Sequence, residues 1–252
     1  MVEGILRRIR DFIHEYGGEV LSLSPDQLHF VDQSRLTEQE RANVARAGER
    51  GFYIADTQKV VVLAEGSPLR DAETVVHELF HANSFGSYAL EGTELTNRRI
   101  GLRIFREEGE SVYLDRLDEA VVEELTKRFD GAHFGGIPGL AGEVARREEF
   151  RSRANAEADE IASVVTREVR PGEWRTVIYP YAYGEERRQL WRIIDEICAA
   201  PASMEVGRED VFRAFAGAMF TGRLTPVARL VERTYGKGSF AEFADSPNGV
   251  QR

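Results

Sequence analysis

"AETVVHELFHANSFG", residues 72–86, places two histidines four residues apart with a glutamate directly after the first. On an α-helix, positions i and i+4 face the same way, so His77 and His81 can reach one ion. Glu78 falls about 100° further round, beside that ion and not on it. A carboxylate there is placed to take a proton from metal-bound water. The flanking residues favour a helix. Val75, Val76, Leu79, Phe80 and Ala82 recur as an apolar stripe. Pro68 after Ser67 suits a first turn, Asp71 and Glu73 suit the positive end, and Gly86 suits a stop. A buried structural histidine pair would account for the imidazoles but gives no reason for Glu78.

Composition sets the frame around this segment. At 252 residues and 42% hydrophobic, the chain can bury a large core. The 30% of charged residues, with no apolar run of 18 or more, argues against a membrane protein. The opening stretch "MVEGILRRIRDFIHEYGG" interleaves arginines with Ile5, Leu6, Ile9, Phe12 and Ile13, which predicts a docked amphipathic helix and not a signal peptide. Net charge is −10, and "ARREEFRSR" (145–153) alternates basic with acidic residues, so nucleic acid is not expected as a partner. Cys198 is the single cysteine and cannot form an internal disulfide, which fits a cytoplasmic setting.

No internal repeat or low-complexity linker divides the chain, and one domain is expected over 1–252. It would hold an N-terminal helix and strands to 66, metal-site helices over 67–129 and a helical remainder from 130. "QLHFVD" (27–32) reads as a strand with Leu28, Phe30 and Asp32 on one face, and residues 36–47 as a helix with Thr37 and Glu40 in capping-box spacing. Runs at 51–55 and 59–64, rich in β-branched and aromatic residues, flank Asp56-Thr57-Gln58 and predict a hairpin. A second strand pair is expected at 101–107 and 111–117, joined through Glu108-Gly109-Glu110. Helices are expected at 118–129, 141–169, 184–199, 208–219 and 225–235. The class is α+β.

A catalytic zinc ion takes three protein ligands and leaves a position for water. His14 and His29 lie in an expected helix and strand. His133, in "DGAHFGG", stays open as a candidate. "LDEAVVEELTKRF" (117–129) is the stronger source, because Glu119 and Glu123 share a helix face. If Glu119 binds the ion, Glu123 one turn along can accept the free N–H of a ligating histidine. The bland alternative is a solvated acidic face favoured by the helix dipole.

"HELFH" followed by "LDEAVVEEL" resembles the gluzincin branch of zinc metallopeptidases, in which a second helix supplies a glutamate ligand. The resemblance spans about 50–129. It implies a zincin-like fold, one zinc ion held by His77, His81 and Glu119, Glu78 as catalytic base and Glu123 as the outer acid. It implies hydrolysis of a peptide or protein substrate, with an extended peptide pairing along "KVVVLAE" (59–65). It also calls for a Tyr or His donor to the oxyanion. Tyr113, Tyr179, Tyr181 and Tyr183 are the candidates. Tyr183 is favoured because it opens the helix after the site, and core packing is expected to explain at least two of the four. Asp118 stands where many relatives have asparagine. The alternative readings are a zinc-binding hydrolase of another amide and an inactive partner-binding domain of the same fold.

Overall fold

The apolar stripe around the two histidines does form a helix in the computed structural model, which describes residues 1–20, 25–32, 50–55, 57–105, 112–157, 159–200 and 206–245. The expected helix over 36–47, Asp56 of the first hairpin turn and the turn at 108–110 lie outside the described residues. The architecture is mixed α+β, with several helices and three small sheets among the described residues. No described helix is long and apolar enough to cross a membrane. The chain divides into two compact units.

The first unit comprises Met1–Phe12, Leu21–Ala82 and Leu125–Ala182. It takes in most of α1 (Val2–Glu15), whose Ile5, Ile9 and Phe12 are buried as their helical spacing predicts. Three strands follow, β1 (Leu28–Asp32), β2 (Gly51–Ile54) and β3 (Lys59–Ala64), in the order β1-β3-β2. The expected β2–β3 hairpin is present and antiparallel, while β1 runs parallel to β3. Its turn is tied by Gln58, at φ +53°, whose side-chain amide donates to the Ala55 carbonyl at 2.9 Å.

One strand expectation needs correction. β3 is the central strand, paired on both sides, so no peptide can add along 59–65. β1 forms where the sequence places it, with Leu28 buried and Phe30 42% exposed.

Helix α2 (Pro68–Ala82) starts at the expected proline and buries Leu69, Ala72, Val75, Val76, Leu79 and Phe80. The rings of Phe12, Phe80 and Phe129 meet at 5.4–6.3 Å. Phe129 comes from the C-terminal part of α3 (Asp115–His133). Helix α4 (Ala141–Ala154) ends at Asn155, in the left-handed region, so the expected single helix over 141–169 is wrong. The chain instead forms a hairpin of β8 (Ser163–Arg170) and β9 (Glu173–Tyr179), turning at Pro171-Gly172 with Gly172 at φ +80°. β-Branched residues win over the helical charge pattern there. Trp174 on β9 is 63% exposed.

A buried polar cluster ties this unit together. Arg147 donates to both carboxylate oxygens of Asp130, one at 2.9 Å, and to the Ala162 carbonyl at 2.9 Å. Tyr181 donates its hydroxyl to the same Asp130. Burial first, and then the Asp130 charge, push the Tyr181 pKa far above its ordinary value.

The second unit comprises Ile13–Val20, Asn83–Glu124 and Tyr183–Arg252. Its sheet is antiparallel in the order β4 (Gly86–Glu91), β5 (Glu94–Ile100), β6 (Arg103–Phe105) and β7 (Val112–Tyr113). The β4–β5 hairpin was not expected. The expected strand over 111–117 gives way to helix at Asp115, because Leu114 at φ +59° turns the chain and the acids Asp115 and Asp118 suit a helix start. Helices α5 (Gly184–Ala199), α6 (Arg208–Thr221), α7 (Thr225–Tyr235) and α8 (Ser239–Asp245) complete the unit. Trp191 stacks on Phe212 at 5.8 Å, with its indole N–H 3.3 Å from Glu124. Arg187 pairs with the same buried Glu124 at 2.8 Å. Arg99 caps α6, donating to the carbonyls of Gly222 at 2.6 Å and Ala218 at 3.2 Å.

Candidate metal centre

His77 and His81 sit one turn apart on α2, with their Nε2 atoms 3.2 Å from each other. Two nitrogens bound to one tetrahedral zinc at about 2.0–2.1 Å are about 3.3 Å apart. The imidazole spacing therefore fits a shared ion. Without an ion, two neutral rings that meet through Nε2 must place a proton on one of them. One donor atom from each of His77, His81 and Glu119 lies within 4.8 Å of the others, so this group can hold a metal ion. It contains the three ligand residues expected from the sequence.

Glu78 follows His77 on α2 and is 6% exposed. Its place depends on a glycine in β2. A Cβ on Gly51 would lie 2.6 Å from Thr74 Cγ2 and 3.0 Å from Glu78 Cγ. Any larger residue there must displace Thr74 or the strand and presses on the Glu78 side chain.

Glu119 lies in the first turns of α3, beside Arg103 of β6. Arg103 donates through Nη2 to Glu119 Oε1 and through Nε to Asp118 Oδ2 at 3.0 Å, with Asp115 Oδ1 at 3.3 Å. Burial alone would lower the Arg103 pKa. Attraction to Asp118, Glu119 and Asp115 outweighs it and leaves the pKa raised. Asp118 is fully buried and also accepts the Leu102 N–H at 2.8 Å. An aspartate suits this position because it can accept from a backbone amide and a guanidinium at once. Glu123, one turn beyond Glu119 on α3, is also buried.

The other candidates separate cleanly. His14 bonds through Nδ1 to the Gly18 carbonyl at 2.8 Å, just past the end of α1. His29 is exposed on β1. His133 ends α3 and packs its ring on Phe129 and Phe12 at 4.7 and 5.9 Å. Tyr179 lies 3.5 Å under the Arg70 guanidinium, and Tyr181 is buried on Asp130. Tyr113 pairs with Ile104 in the β6–β7 ladder. Tyr183 precedes α5 in the left-handed region, at φ +49° and 37% exposed, and interacts electrostatically with Arg103. That backbone conformation is costly for a tyrosine.

Sequence reasoning missed Arg103 and Gly51. Arg103 carried no signal beyond its place in a strand. Gly51, opening an apolar run, is the kind of glycine that marks close approach of another element. No family model matches the chain, and neither a curated protein nor a solved structure matches it.

Proposed function

We propose that the protein is a zinc-dependent peptide-bond hydrolase of zincin-like fold, akin to the gluzincins. The observation that carries this reading is the pair of imidazole nitrogens at 3.2 Å with Glu119 completing a three-residue donor group. The donor set, two histidines and one carboxylate, is that of a catalytic zinc site and not of a closed structural one. His77, His81 and Glu119 would hold the zinc ion, which when bound would supply a Lewis acid and lower the pKa of its water to about 7.

The chain's own groups do the rest. Glu78 takes the proton of the attacking water on its carboxylate and returns it to the departing amine nitrogen. Its burial limits competing bulk water. The Tyr183 hydroxyl donates to the oxyanion that develops on the former carbonyl oxygen. Since β3 is paired on both sides, an extended substrate would pair along β2, the edge strand that carries Gly51.

Elemental analysis of wild type, His77→Ala and Glu119→Ala, purified without chelators, tests the site. About one zinc per chain in wild type, lost or strongly weakened in both variants, is the expected result. A wild type that carries no metal and takes up none on addition sinks the enzyme reading in favour of a partner-binding domain. For the donor, Tyr183→Phe is expected to lower kcat on a cleaved peptide by about 10²–10³-fold at unchanged zinc content. Full turnover by that variant removes Tyr183 from the mechanism.

A further inference from the structure

The guanidinium of Arg103 spans the first turns of α3, touching Asp115, Asp118 and Glu119, three acids at helical spacing. Its own backbone is fixed to the same turn, because the neighbouring Leu102 N–H donates to Asp118 Oδ1. Gly101 makes that approach possible: its φ is +59°, and a Cβ there would clash with Asp118 Oδ1. Leu114, also at φ +59°, sets the start of the helix against β6. The arginine is therefore held from two sides and presents a fixed fork to Glu119.

We infer that Arg103 is the positioning residue that keeps one oxygen of Glu119 engaged, so that the carboxylate binds the metal ion through its other oxygen alone. The inference rests on the metal-site reading above and deepens it. A carboxylate can bind a metal through one oxygen or both. Two-oxygen binding would take up coordination space that a hydrolytic site keeps for water and substrate. A guanidinium bonded to Oε1 prevents this by occupying the second oxygen, and its planar fork does so while bonded to Asp118 as well. Lysine, a point charge, can neutralise the three acids but cannot hold both carboxylates in a fixed plane. A simple staple between β6 and α3 would affect folding and leave the coordination unchanged.

The test titrates the metal-free full chain with Co²⁺, reading affinity and the visible d–d absorption per bound ion. Wild type, Arg103→Met, Arg103→Lys and Glu119→Ala are compared, each with its metal-free thermal midpoint. Arg103→Met is expected to bind Co²⁺ about 10–100-fold more weakly. Its band should also lose intensity, as a second carboxylate oxygen raises the coordination number. Arg103→Lys should melt close to wild type yet keep the altered band, which separates positioning from folding. A wild-type band and affinity in Arg103→Met or Arg103→Lys overturns the inference, as does unweakened binding by Glu119→Ala. If wild type itself binds no Co²⁺, the metal-site reading falls first and takes this inference with it.

Discussion

Glu78→Gln is expected to lower kcat on a cleaved peptide by about 10²–10⁴-fold while zinc content and fold stay at wild-type values. The amide matches the carboxylate in size, so it fits the buried place beside Gly51 without a clash. What it lacks is the ability to take up and return a proton at neutral pH. The effect should fall on kcat and kcat/KM together, because the lost interaction belongs to the transition state. Measuring zinc content and turnover on the same preparation checks this. A Glu78→Gln variant with one zinc per chain and undiminished turnover would show that the nearby carboxylate has no part in proton transfer.

The second large effect is on stability. Asp130→Ala is expected to cost about 3–5 kcal/mol, because it removes the buried carboxylate bonded to both terminal nitrogens of Arg147 and leaves the half-exposed Glu148 beside its Nε. The Arg147 side chain is 2% exposed and that of Asp130 is fully buried, so water cannot replace the lost partner. The Tyr181 hydroxyl loses its acceptor in the same step. Replacing both charged groups with apolar residues of similar volume should recover much of the loss, since the penalty comes from the unpaired charge. Urea unfolding followed by far-UV circular dichroism measures this as a lower midpoint at unchanged slope. A loss under 1 kcal/mol would mean that Arg147 finds another acceptor, with the Ala162 carbonyl already at 2.9 Å.

How much of this was legible depended on where the stabilising contacts lie along the chain. Helices α2, α5 and α7 matched expectation closely because each buries an apolar face that repeats every three to four residues. The hairpin β8–β9 was missed because only its first residues, Ser163 and Val164, are buried while most of the rest faces water. Without one covered face there is no two-residue alternation to read. The β4–β5 hairpin failed for the same reason, with Tyr88 and Leu90 exposed. At the candidate metal centre, His77, Glu78 and His81 were legible because one helical turn places them. Glu119 was legible only through a second helix with acids at the right spacing. Arg103 was not, because its contact with Glu119 joins residues 16 positions apart on two elements, beside a glycine whose left-handed backbone the sequence does not announce.

The chain's two tryptophans fall one in each unit, which makes the protein its own spectroscopic probe. Trp174 on β9 already stands in water, so its emission changes little when the chain unfolds. Trp191, stacked on Phe212 and bonded to Glu124, loses a defined environment and carries most of the change in fluorescence. Intrinsic fluorescence therefore follows the unit built on α5 and α6, whereas far-UV circular dichroism sums the helices of both. Superimposed curves from the two signals mean one cooperative transition, and separated curves mean that the units melt in turn.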